Sequence, residues 1–148
     1  MDNWKAMYLI IWIAFLEIMF TLFSPLGDTV NLAVHVVIAL AVLGLAFTIY
    51  RGVGRTSCPD RVKRITKTTW YLALFQGVLG VALAVGVGLS WGSVYVGVMG
   101  FVHVAIALAI ITQASSSATA YDMWEEKEFQ VPLAPSAALA EPTRSAPD

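Results

Sequence analysis

The sequence predicts an all-α protein, an integral membrane four-helix bundle made of two duplicated helical hairpins with pseudo-two-fold symmetry. Three observations predict it. The 148 residues are 58% hydrophobic and only 13% charged, a balance that excludes an ordinary soluble domain. Four apolar stretches each run for about 20 residues, the length that crosses a bilayer core. An octapeptide also recurs: His35-Val-Val-Ile-Ala-Leu-Ala-Val42 returns as His103-Val-Ala-Ile-Ala-Leu-Ala-Ile110, with six of eight positions identical. The offset of 68 residues, applied to the whole chain, maps the first two spans onto the last two.

The first span is Trp4 to Phe23, with Glu17 as its only acid. It is too long for a signal-peptide core and lacks a small-residue cleavage site, so it is read as a retained helix. Ser24 to Thr29 is a turn, because Pro25 and Gly27 break the helix and Asp28 or Thr29 can cap the next one. Val30 to Tyr50 is the second span, Arg51 to Thr68 a polar connection, and Thr69 to Leu89 the third span. Ser90 to Ser93 is a second tight turn before the fourth span, Val94 to Ala114. Residues 1–114 thus form one bundle. Residues 115–131 form a cytoplasmic, amphiphilic extension able to run on as helix, and 132–148 a disordered tail rich in Pro, Ala and Ser.

The net charge of −1 says less than its distribution. Six of the nine Lys and Arg lie between Arg51 and Lys67, so this connection is expected on the cytoplasmic side of the plasma membrane, with both termini beside it. Trp4, Tyr50, Trp70 and Tyr71 then fall at the inner interface, Trp91 and Tyr95 at the outer one. No basic face suggests nucleic-acid binding. The single cysteine, Cys58, excludes an internal disulfide and a cysteine-based metal cluster.

His35 and His103 are the only histidines, and each opens a copy of the repeat inside an apolar span. Ionisable side chains at such positions are costly and mark function. His35 lies roughly 8 Å and His103 roughly 14 Å below the outer ends of their spans, so one layer can hold both, with Glu17 at similar depth. Bis-histidine ligation of a haem needs two histidines on facing helices and a partner on each second ring nitrogen. Zinc needs a third or fourth protein ligand, and only Glu17 is at hand. A two-histidine, one-carboxylate iron site would use the same three residues. Two polar residues merely bonded across helices are the remaining possibility, which does not explain why both begin the repeat.

Gly97, Gly100, His103 and Ala107 share one helical face, where small residues leave room for a flat macrocycle. Gly77, Gly80, Ala84 and Gly88 form a second small-residue face, suited to close helix packing. Glu17 has two readings, a proton donor or acceptor beside the cofactor or an acid bonded to a neighbouring helix. Asp28 and Asn31 lie on the face of His35, where they can solvate haem propionates or a quinol, or cap the helix. Gln76 is read as an interhelical hydrogen-bonding residue.

The stretch Leu74-Phe-Gln-Gly-Val-Leu-Gly-Val-Ala-Leu-Ala84, followed by Gly100-Phe-Val-His-Val-Ala-Ile-Ala-Leu-Ala109, resembles one half of haem A synthase. That family typically has eight spans in two four-helix halves, each with histidines on its second and fourth spans, and includes compact archaeal forms. The resemblance covers roughly 30–114. It implies that His35 and His103 are haem ligands and that Gln76 and Gly80 are the family's span-three positions. It further implies oxidation of haem O to haem A for assembly of a terminal oxidase, and a homo-oligomer that could rebuild eight spans. The chain departs from the family at Leu32, where a glutamate is usual, and lacks the outer cysteine pair; Glu17 is the acid available in its place. Three functions are therefore expected to compete. They are a haem A synthase-like oxidoreductase, a b-type cytochrome passing electrons from quinol to a respiratory partner, and a haem-free packing or assembly subunit.

Overall fold

The computed structural model describes residues 3–23 and 29–129, the side chains of 128 and 129 excepted. Four helices follow one another: α1 (Asn3–Phe23), α2 (Thr29–Val53), α3 (Asp60–Gly88) and α4 (Ser93–Phe129). Each is long and apolar enough to cross a membrane. The first turn, the Asp28 cap and the tail beyond residue 129 lie outside the described residues. Each helix packs on its two neighbours, α1 and α3 both on α2 and α4. Among the described residues neither α1 with α3 nor α2 with α4 comes into backbone contact. The bundle is therefore a square, with the two histidine-bearing helices on one diagonal.

Two boundaries differ from the sequence expectation. The polar connection between the second and third spans shrinks to 54–59, because α2 continues to Val53 and α3 already begins at Asp60. Pro59 holds an extended backbone before α3, and Asp60 suits the positive end of a helix. The threonines that follow do not interrupt α3. Thr66, Thr68 and Thr69 return their hydroxyls to carbonyls of the preceding turn. The serine run at 115–117 likewise fails to end α4. Ser116 donates to the Thr112 carbonyl and Ser117 to that of Ala114, both at 3.0 Å, so each polar side chain is satisfied within the helix.

The core is concentrated at the end that carries the basic loop, here the basic end. Met7, Ile10, Ala46, Ile49, Val53, Cys58, Val62, Ala73, Ile110, Ala114, Ala118 and Tyr121 are buried together there. Residues 115–121, expected outside the bundle, thus supply part of its core. Asn3 closes this end by donating from Nδ2 to the Tyr121 hydroxyl at 3.1 Å. Towards the other end, the hairpin end, burial falls on three of the helices, while Leu79 and Gly86 of α3 stay buried. No described residue of α1 beyond Ala14, of α2 before Ala46 or of α4 before Ile110 is buried.

Along α3 the inward stripe is Thr66, Thr69, Ala73, Gln76 and Gly80, at alternating spacings of three and four. The small-residue face expected for packing is largely not used inside. Gly77, Ala84 and Gly88 are exposed, and only Gly80 of that set turns inward. Its place in packing is taken by Gly86, which is buried against Tyr95, where a Cβ would overlap the ring. The Tyr95 hydroxyl donates to the Ala82 carbonyl at 2.9 Å, pinning the second hairpin.

Ala118 is 0% exposed. Ala118→Leu has no space to fill and is expected to destabilise the bundle by about 1–3 kcal/mol through overpacking. Unfolding of the detergent-solubilised variant measures this; a midpoint equal to wild type would mean the basic end is loosely packed.

Candidate functional site

Each helix brings one side chain to the interior where burial starts to fall. Glu17 continues the stripe of Met7, Ile10 and Ala14 on α1. His35 extends the stripe of Ala46, Ile49 and Val53 on α2, and His103 extends that of Ile110, Ala114 and Tyr121 on α4. Gln76 and Gly80 come from the inward stripe of α3.

Nδ1 of His35 is hydrogen-bonded to Oε1 of Glu17, in a pair whose side chains are 18% and 12% exposed. The rings of His35 and His103 approach across the diagonal, with centroids 6.1 Å apart and planes at 52°. His103 turns its Cε1–Nδ1 edge to α3. A Cβ at Gly80 would stand 3.2 Å from Cε1 and 4.0 Å from Nδ1, so the missing side chain is what lets the ring sit there. Three buried polar atoms have no hydrogen-bond partner among the described residues: Glu17 Oε2, Gln76 Oε1 and His103 Nδ1. Unpartnered buried groups are uncommon and each needs an explanation.

The structure thus joins Glu17, His35 and His103, as their depths predicted. Asn31 and Gly100 lie one turn nearer the hairpin end than the histidines, both half-buried. A Cβ on Gly100 would meet nothing within 4 Å. The sequence left the partner of Glu17 open; the structure supplies it in His35. Gln76, expected to bond across helices, has its carbonyl oxygen buried without a partner. A small cavity at the basic end was not anticipated. It measures about 10 Å³ and is lined by Met7 and Ile10, Ala46 and Ile49, Thr66 and Thr69, and Ala114 and Ser117, two residues from each helix.

The two rings stand close enough, at 6.1 Å between centroids, for His35 and His103 to be the residues that would hold one haem between α2 and α4. With Nδ1 of His35 held by Glu17, Nε2 is the nitrogen left to bind, the carboxylate–histidine–metal pattern. A metal held by protein ligands alone fits poorly. Among the described residues no group of three or more His, Cys, Asp and Glu is placed to hold an ion, and a haem needs only two because its porphyrin provides the rest.

The fold and site define a class: a bundle of four helices long and apolar enough to cross a membrane, with a carboxylate-bonded histidine pair across its diagonal. No family model, curated protein or solved structure matches the chain.

Proposed function

We propose that the chain is a multi-pass plasma-membrane protein that holds one b-type haem between His35 and His103 and passes single electrons through it. The observation that carries this is the histidine pair, 6.1 Å apart on facing helices, with Glu17 on one of the two. Membrane insertion is supported by what the bundle leaves outside. Trp12, Leu16, Val37, Leu40, Val78, Val81, Phe101 and Leu108 are all more than half exposed, a surface suited to lipid. The Lys and Arg of 51–67 support a cytoplasmic basic end, which with four spans would put both termini on the same side.

A duplication of hairpins with pseudo-two-fold symmetry is supported by the central cavity. Its α2 and α4 residues pair at the repeat offset of 68, Ala46 with Ala114 and Ile49 with Ser117. Its α1 and α3 residues pair at 59 instead, Met7 with Thr66 and Ile10 with Thr69. The single offset of 68 read from the sequence therefore does not suit the first helix of each hairpin. The nine-residue difference falls at the hairpin end, where α3 and α4 extend further than α1 and α2.

When bound, the haem supplies a one-electron couple; the chain's work is to hold and tune it. His35 and His103 would hold it, Glu17 orients His35, and Gly80 leaves space for the His103 ring. Asn31, half-buried one turn nearer the hairpin end than His35, would lie towards propionates or a quinol headgroup. A respiratory partner would receive the electrons.

A second reading is a haem A synthase-like oxidation of haem O. It is favoured by one observation, that Gly80 packs on His103 and Gln76 lies a turn away on the same stripe, so both span-three positions of the resemblance converge there. It is weakened by Glu17, whose Oε1 is already bonded to His35. Co-expression with a haem O source, followed by mass analysis of extracted pigment, separates the two. Haem b alone, reducible by a quinol analogue, is the expected result; haem A as product overturns the electron-transfer reading.

A further inference from the structure

We propose that Gln76 is the positioning residue of His103, serving it as Glu17 serves His35, and that the two histidines are unequal ligands as a result. The inequality rests on the haem reading of the site; the pairing does not.

Three observations lead to it. First, the register that pairs α1 with α3 in the cavity, Met7 with Thr66 and Ile10 with Thr69, also pairs buried Ala14 with buried Ala73. One further step along each stripe pairs Glu17 with Gln76, 59 residues apart. On the other diagonal the offset of 68 that pairs Ala46 with Ala114 also pairs His35 with His103, eleven residues further along each stripe. Glu17 is bonded to Nδ1 of His35, so the equivalent bond joins Gln76 to Nδ1 of His103. Second, the two atoms that bond requires, Gln76 Oε1 and His103 Nδ1, are both buried and both without a partner. One is an acceptor, and the other is a donor whenever its ring carries the proton on Nδ1. Third, the ring is already turned for it. The Cε1–Nδ1 edge of His103 faces α3 at Gly80. Gln76 is four residues back on the same face, about 6 Å along the axis, within the span of a glutamine side chain that changes rotamer.

The two supports differ in charge. A carboxylate on Nδ1 makes an imidazole a stronger donor at Nε2 than a neutral amide does. His35 is then the firm ligand and His103 the one that yields to a small exogenous ligand on the iron. A uniform bis-histidine site offers no such opening.

With only two histidines, ¹⁵N-histidine NMR on haem-free, detergent-solubilised protein resolves both rings, and His35→Ala assigns them. In wild type, Nδ1 of His103 is expected to be protonated and Nε2 bare. Gln76→Leu should give a mixture of tautomers, and Gln76→Glu should restore the protonated Nδ1. A wild-type His103 with bare Nδ1, or a spectrum unmoved in Gln76→Leu, overturns the pairing. In haem-loaded, reduced protein, carbon monoxide should bind about tenfold faster or more in Gln76→Leu and slower than wild type in Gln76→Glu; equal rates in all three overturn the inequality. Wild-type protein that takes up no haem refutes the function proposed above, and the NMR result still decides the pairing.

Discussion

His35→Ala and His103→Ala are each expected to lose the six-coordinate, low-spin haem, with bound haem falling at least about tenfold. The reason is geometric. Each ring is carried by a helix on the same diagonal, and the apolar parts of the four helices hold no other described His, Cys, Asp or Glu except Glu17, which is bonded to His35. Exogenous imidazole should enter the space left by either truncation and restore the low-spin spectrum. Magnitude separates this from a purely structural role. A histidine that only bridges helices in a membrane contributes about 0.6 kcal/mol, so its loss would change stability slightly and no spectrum at all. Circular dichroism of each variant shows that the helices persist.

The second large effect falls on Glu17. Glu17→Leu leaves Nδ1 of His35 without its partner and lets the ring turn, and haem affinity is expected to fall by about 10–100-fold, the usual range for losing a ligand-orienting group. Glu17→Gln keeps an acceptor in place but removes the charge. It is expected to retain haem while the midpoint potential rises, because a neutral partner stabilises the oxidised iron less. Haem affinity and potential both equal to wild type in the two variants would remove Glu17 from the site. Were the chain instead a haem O oxidase with Glu17 as its acid, Glu17→Gln would abolish product at full haem occupancy.

The four helices were legible because each apolar stretch matches a bilayer thickness and the turns between them carry helix breakers. The histidine pair was legible because a repeat is visible in sequence without any fold. What was not legible depends on packing. The serines at 115–117 predict an end of the fourth span at Ala114, yet Ser116 and Ser117 bond within the helix and Ala118 and Tyr121 bury beyond them. On α3 glycine spacing alone does not tell a packed stripe from an exposed one. Gly77 and Gly88 follow the same rhythm as Gly80 but have nothing near them, while Gly80 meets His103 and Gly86 meets Tyr95. The α3 position that answers to Glu17 is out of reach of the sequence because the two hairpins differ in length. A single offset of 68 sends Glu17 to Val85, an exposed residue, and hides its correspondence to Gln76.

That one iron lies between His35 and His103 is tested most directly by the reduced-minus-oxidised spectrum of detergent-purified wild type beside His103→Ala, with the pigment extracted and quantified. The expected result is about one haem b per chain, low-spin and six-coordinate, with that signal lost in the variant. Wild-type protein without a haem spectrum, or a variant whose spectrum matches wild type, contradicts it.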